Sequence, residues 1–140
     1  MAFTPRKHLH IAFATAPRPD GGHSIAAIAW DPERREVARL HTAAEGEAKF
    51  HPWQALLAGI QMAVDLGADQ ITLYSHHGNL ANMARLSRGQ SEASPGAAAY
   101  GAVAWQILFG AFMGRFAFTA IDEARNPAIA VAQGEAVEAR

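Results

Sequence analysis

Two adjacent histidines, His76 and His77, follow a short apolar segment that ends in Tyr74-Ser75. Imidazole groups transfer protons near neutral pH and bind transition metals, and such chemistry is often found where a buried strand ends. A third histidine, His51, stands at the start of a segment with helical periodicity. If that helix begins beside the end of the strand, the three imidazoles would form a site for a transition metal such as zinc.

The simpler alternative is that the pair shares no chemistry, with His76 a polar residue at a strand end and His77 a first-turn helix residue. Adjacent strand residues point to opposite faces, so at most one of them would enter a pocket. Nucleophilic catalysis has little support, because Ser75-His76 are chain neighbours rather than a nucleophile with an oriented base. Four further histidines are expected on exposed strand surfaces: His8, His10, His23 and His41.

Composition limits the classes of protein that this chain can represent. It has 140 residues, of which 50% are hydrophobic, enough for one domain (1–140) with a core of its own. The absence of cysteine excludes disulfides and thiolate zinc sites. A formal charge of −1 with scattered basic residues argues against nucleic acid as the main partner. The first residues show no apolar signal-peptide segment, so a cytoplasmic location is expected.

The hydrophobic periods predict a regular series of elements. Three strand-like segments joined by short turns, the third of them alternating apolar and polar, indicate an antiparallel meander, and a change to helical spacing after His51 indicates a crossover helix. A strand that follows such a helix is expected to join the sheet in parallel. The predicted order is β-β-β-α-β-α-α-β-α: strands 8–16, 23–30, 36–42, 71–75 and 116–121, with a helix that has Pro52 in its first turn and ends at Gly67, helices 78–86 and 97–113, and one after Asn126-Pro127.

This order resembles the ribonuclease H fold over nearly the whole chain. The most specific stretch is HPWQALLAGIQMAVDLGADQITLYSHHGNL at 51–80, where the Ala-Leu-Leu-Ala-Gly core at 55–59, Gly67 and Tyr74-Ser75 match the family pattern. The resemblance implies an α/β domain. Its five-stranded mixed sheet would have three antiparallel strands followed by parallel additions, with helices on both faces.

Enzymes of that family cut the RNA strand of an RNA–DNA hybrid with two divalent ions held by four carboxylates. Mg²⁺ requires such oxygen ligands. The resemblance places the four carboxylate positions at residues that are not acidic: Ala14, Pro52, His76 and about Ala130. It also predicts no counterpart of the family's catalytic histidine in the segment IDEARN at 121–126. We therefore expect no two-metal magnesium nuclease.

Residues 93–114 contain no charged side chain. Their length would permit a membrane span, but Ala, Gly, Ser and Gln dilute the hydrophobicity, and we expect no membrane segment. On a helical projection Trp105, Phe109 and Phe112 form one stripe, with Tyr100 on the other side. A helix that is apolar on all sides needs a second packing partner in addition to the sheet. The second cover is a second copy of the helix in a homodimer or, alternatively, the C-terminal helix of the same chain.

The leading hypothesis is a catalytically inactive ribonuclease H-like domain without a cofactor. It would act as a binding module, as a homodimer or with another protein partner. The predicted interface residues are Tyr100, Trp105, Phe109 and Phe112. One alternative is a nuclease or phosphoesterase with a transition metal on His51, His76 and His77. A second alternative is a non-catalytic nucleic-acid binder, which the charge distribution does not favour.

Overall fold

The structure, a computed structural model, describes residues 7–76, 95–113 and 115–133. The five strands are β1 (His8–Pro17), β2 (His23–Trp30), β3 (Glu36–Ala43), β4 (Gln70–Ser75) and β5 (Phe116–Ala120). The helices within these ranges are α1 (His51–Asp65), α2 (Pro95–Phe112) and α3 (Ala128–Ala132), and single 3-10 turns lie at Ala48–Phe50 and Glu123–Arg125. The helix predicted at 78–86 lies outside the described residues, as does His77.

The strands form one mixed sheet in the order β3-β2-β1-β4-β5. Strands β1, β2 and β3 are antiparallel neighbours, whereas β4 runs parallel to β1 and β5 runs parallel to β4. The predicted sheet is therefore confirmed. Ala12 pairs with Tyr74, so the parallel register places Ala14 and His76, each two residues further on, at the same edge of the sheet.

The first helix covers one face of the sheet, which we call the α1 face. Its apolar positions recur at helical spacing, and Trp53, Leu56 and Ile60 pack on the side chains that β1 and β2 direct to this face. Gly59 permits close contact, since a Cβ at that position would lie only 2.9 Å from Cγ2 of Ile11. Gly67 adopts a φ of 76° just after the helix, a conformation that favours glycine at a helix end.

The opposite face, which we call the α3 face, carries small side chains. Ala12 and Ala14 of β1 pack against Ala128 of α3, and Ala26 and Ile28 of β2 pack with Val131 and Ala132. Alanine side chains let the short helix lie close to the sheet. Helices thus cover both faces, as predicted. In the described part of the chain, no helix is long and apolar enough to cross a membrane.

A β-bulge interrupts the pairing of β2 and β3. Ala29 pairs with Ala38 but Trp30 pairs with Glu36, so Val37 is an extra residue on β3. Residues three apart on a regular strand face opposite sides, and an extra residue resets this alternation. The bulge therefore brings Glu36 to the same face as Arg39, and the two side chains form an ion pair there.

Candidate functional site

The edge where β1 and β4 end is the place where the family resemblance puts a carboxylate cluster. Ala14 is completely buried there and packs against Ala128 at the start of α3. Its methyl group offers no ligand to a metal ion. Pro52 lies in the first turn of α1, where its missing N–H costs no helical hydrogen bond. Ala130 of α3 lines a pocket on the α3 face.

A hydrogen-bond network centred on Asn126 joins this edge to α3. The Asn126 side chain is buried, and its Nδ2 donates to the carbonyl oxygen of Phe13 at 3.1 Å and to Nδ1 of His76 at 2.9 Å. Its Oδ1 accepts from the backbone N–H of Ala128 at 3.0 Å. Because a backbone N–H fixes which end of the amide is the oxygen, Nδ1 of His76 must act as an acceptor. His76 therefore carries its proton on Nε2 in this network.

The structure gives His51 different neighbours. The ring is buried, its Nε2 donates to the carbonyl oxygen of Gly46 at 3.1 Å, and its centroid lies 5.0 Å from that of His23. Its Nδ1 is buried and has no hydrogen-bond partner among the described residues. Within 7–76, 95–113 and 115–133, no three His, Asp or Glu side chains are grouped so that they could hold a metal ion. A metal site that includes His77 stays a prediction, since that residue lies outside these ranges.

The long helix α2 presents two different surfaces. Ala104, Leu108 and Phe112 are completely buried and belong to the core on the α1 face. Phe112 is therefore a core residue of this chain and not part of an exposed stripe, which corrects its predicted place in an interface. The helical projection could not show this, because an almost uniformly apolar helix gives no indication of which side faces the sheet.

The other side of α2 is exposed and apolar. Val103 and Phe109 are each 44% exposed and Met113 is 71% exposed, and we call these three residues the outer α2 surface. Trp105 lies beside it, with its ring centroid 3.9 Å from that of Phe109. Tyr100 is half-buried and packs on Phe50 and Trp53. The described C-terminal helix, α3, packs on the opposite face of the sheet and therefore leaves this surface uncovered.

A pocket of about 830 Å³ lies on the α3 face, and no pattern in the sequence predicted it. Three rings line it: the centroid of Trp30 is 6.0 Å from that of His10 and 5.5 Å from that of Tyr74, and those of His10 and Tyr74 are 5.7 Å apart. We call these three residues the ring group. Nδ1 of His10 also lies 2.8 Å from the hydroxyl of Tyr74. One indication was present in the sequence, since Trp30 ends one predicted strand and His10 lies near the start of its neighbour.

The ring group is uncharged near neutral pH. Burial lowers the pKa of His10, and the neighbouring His8 lowers it further. Burial raises the pKa of Tyr74. Both effects have the same physical cause, because desolvation disfavours the charged form of either side chain.

The charges of the pocket therefore come from its acids and arginines. A backbone hydrogen bond from Arg35 lowers the pKa of Asp31, and the Arg39 side chain lowers the pKa of Glu36 by donating a hydrogen bond. Each of these acids is thus paired with an arginine. Arg34 and Arg125 also line the pocket, and within the described part of the chain neither forms an ion pair.

Comparison with solved structures identifies the fold. Ribonuclease H1 from the halophilic archaeon Halobacterium salinarum matches 95% of this chain and 99% of its own, with a TM-score of 0.77 and 20% identity. A second match is the N-terminal ribonuclease H domain of a Mycobacterium tuberculosis protein, solved as a fusion with maltose-binding protein. It covers 95% of this chain and 95% of its own, with a TM-score of 0.72 and 20% identity. LC11 ribonuclease H1, solved with an RNA/DNA hybrid, covers 94% of this chain and 98% of its own, with a TM-score of 0.74 and 14% identity.

The chain therefore has a ribonuclease H-like fold. No model of a known protein family matches the sequence, and no curated protein matches it either. At identities of 20% and below, the structural similarity establishes the fold alone. Activity and partners must be argued from the residues of this chain.

Proposed function

We propose that this chain is a catalytically silent ribonuclease H-like domain that acts by binding, with a second copy of itself as its partner. The observation that carries the proposal is the network at the edge of β1 and β4. A buried methyl group at Ala14 and the imidazole of His76, which Asn126 holds by a hydrogen bond, stand where the fold resemblance calls for carboxylates.

The chemistry of the edge supports catalytic silence. Two-metal hydrolysis needs hard oxygen ligands that hold two cations close together. The side-chain oxygen of Asn126 accepts a backbone hydrogen bond from Ala128, and both of its N–H groups have acceptors as well. The network thus contains one uncharged side-chain oxygen, already bonded to the N–H of Ala128, where two divalent cations require several anionic oxygen ligands.

The outer α2 surface supports the homodimer. Residues 95–113 contain no charged side chain, and β5, which carries Phe116, is an edge strand. An exposed apolar surface beside a sheet edge is a typical protein–protein contact. In a two-fold dimer the same surface serves both partners, so the two copies of Phe109 would meet near the symmetry axis.

The test of catalytic silence is cleavage of an end-labelled RNA–DNA hybrid, with Mg²⁺, Mn²⁺ and Zn²⁺ in separate reactions. We expect the same background signal from the wild type and from His76→Ala. Cleavage that His76→Ala abolishes would overturn the proposal and support the transition-metal alternative, as would stoichiometric zinc in the purified protein.

The test of the dimer is sedimentation velocity of the wild type and two matched variants. Val103 on the outer α2 surface is 44% exposed, and Val37 at the bulge on the far edge of the sheet is 43% exposed. Val103→Glu should give a monomer, because a carboxylate would be buried without a partner in the interface, whereas Val37→Glu should stay dimeric. A wild type that remains monomeric at high concentration contradicts the dimer, as does a dimer that Val103→Glu leaves intact.

A further inference from the structure

We propose that the pocket on the α3 face binds a nucleotide, with the base on the ring group and the phosphate held by Arg34 and Arg125. The proposal is independent of the dimer and of catalytic silence. Its residues lie on the sheet face opposite α2, and none of them belongs to the Asn126 network.

The ring group supplies the contact for a flat base. The ring plane of Trp30 is inclined by 14° to that of His10 and by 27° to that of Tyr74. Near-parallel rings at one wall of a pocket can stack a further flat ring in the same orientation. Stacking of a base on an aromatic side chain contributes about 1–3 kcal/mol in single-strand binding proteins.

The unpaired arginines supply the contact for an anion. The pocket contains three arginines and two acids, but Asp31 is paired with Arg35, which is outside the pocket, and Glu36 is paired with Arg39. Arg34 and Arg125 are therefore left with uncompensated charge. A phosphate monoester carries close to two negative charges at neutral pH and accepts the paired N–H bonds that guanidinium groups donate.

The backbone supports a role for Arg34 beyond the turn itself. This residue adopts a φ of 65°, a conformation that disfavours side chains and favours glycine, in the hairpin turn closed by its N–H bond to Asp31. An arginine at such a position costs stability and contributes no ion pair among the described residues. A ligand contact from its guanidinium group accounts for both facts.

The size of the pocket agrees with a nucleotide. Its volume of about 830 Å³ lies in the range of small-molecule sites. The bulge at Val37 contributes to its composition, because it brings Glu36 and Arg39 to the same face as Trp30. A purely apolar ligand would leave the two free guanidinium groups unused.

The test is titration calorimetry of the full chain with adenosine monophosphate, adenosine and inorganic phosphate. We expect saturable one-to-one binding of the monophosphate and at least tenfold weaker binding of adenosine and of phosphate. A short single-stranded oligonucleotide distinguishes the two sources of the same chemistry. Tighter binding of the oligonucleotide assigns the site to a nucleotide within a strand, and equal or weaker binding assigns it to the free nucleotide. No binding of the monophosphate at millimolar concentration overturns the proposal.

Two glycine substitutions separate binding from folding. Arg34 and Met113 are the non-glycine residues with positive φ in the described part of the chain, and glycine relieves the strain at either position. Arg34→Gly should therefore melt at or above the wild-type temperature, whereas Met113→Gly, which changes the outer α2 surface, is a control for ligand affinity only. Loss of a charge-assisted hydrogen bond should weaken the binding of the monophosphate about tenfold in Arg34→Gly alone. Equal affinity of Arg34→Gly and Met113→Gly would contradict the proposed phosphate contact.

Discussion

Gly59 of α1 controls how closely that helix approaches the strand that leads to the candidate site. A Cβ added at Gly59 would lie 2.9 Å from Cγ2 of Ile11 and 3.6 Å from Cβ of Ala27. Ile11 is completely buried, and its branched side chain is stiff at χ1, so the methyl group cannot rotate away. Gly59→Ala must therefore move the helix or the strand.

Two opposing terms set the size of the effect. Overpacking of a close-packed core costs about 1–3 kcal/mol. Alanine in place of glycine in a helix interior gains about 0.8–1.0 kcal/mol. We therefore expect Gly59→Ala to lower the free energy of unfolding by about 0–2 kcal/mol, measured by urea denaturation.

Gly110 of α2 is the matched control. It is exposed, and a Cβ added there would meet no atom within 4 Å. Gly110→Ala should thus show only the gain from replacing glycine by alanine in a helix, and raise the free energy of unfolding by about 0.5–1 kcal/mol. Because this gain is common to both variants, their difference isolates the steric cost of about 1–3 kcal/mol. Equal effects of the two substitutions would refute the argument that Gly59 is required for the close approach.

Three further predictions concern the α3 face. Asn126→Ala should lower the free energy of unfolding in urea by about 1–3 kcal/mol, because it removes the hydrogen bond to the carbonyl of Phe13 and leaves the buried N–H of Ala128 without its acceptor; a loss below about 1 kcal/mol would contradict the network. Since the pKa of His10 is lowered from 6.5, its neutral form stabilises the fold above that pH, and this stability is lost as the pH falls through it; the melting temperature should fall less between about pH 7.5 and about pH 5.5 in His10→Gln than in the wild type. Arg39→Gln should cost less than about 1 kcal/mol in the same urea assay, because its bond to Glu36 is partly exposed; a larger loss would give Arg39 a structural role beyond that pair.

Much of the fold could be predicted because apolar segments between turn residues mark the covered strands, polar alternation marks the exposed strand β3, and the hydrophobic period changes where helices begin. The predicted strand at 23–30 agrees with β2 at both ends, and the other four strands differ from the structure by one residue at one end. The parallel placement of β4 followed from α1, because a crossover helix brings the chain back to the end of the sheet from which a parallel strand can start. Gly67 marked the end of α1 because its positive φ favours glycine.

The pocket could not be predicted because its formation depends on backbone irregularities. The bulge at Val37 changes which side chains of β3 share a face, and strict alternation places Glu36 and Arg39 on opposite faces. The residue type at position 34 does not indicate its positive φ, because glycine is the residue expected in that conformation. Burial of Phe112 was missed for a different reason: a helix whose residues are nearly all apolar carries no pattern that distinguishes its inner side.

The Asn126 network joins this edge of the sheet through hydrogen bonds instead of charged ligands. Clustered carboxylates repel one another and raise one another's pKa values unless cations offset their charge. Here Ala14 contributes packing instead of charge, and Asn126 ties Phe13 of β1 and His76 after β4 to the start of α3 through neutral hydrogen bonds. The network thereby fixes α3, which contributes Ala130 and Val131 to the pocket. In the proposed function, the residues that stand in place of metal ligands at one end of the α3 face thus also position α3, which lines the proposed nucleotide pocket.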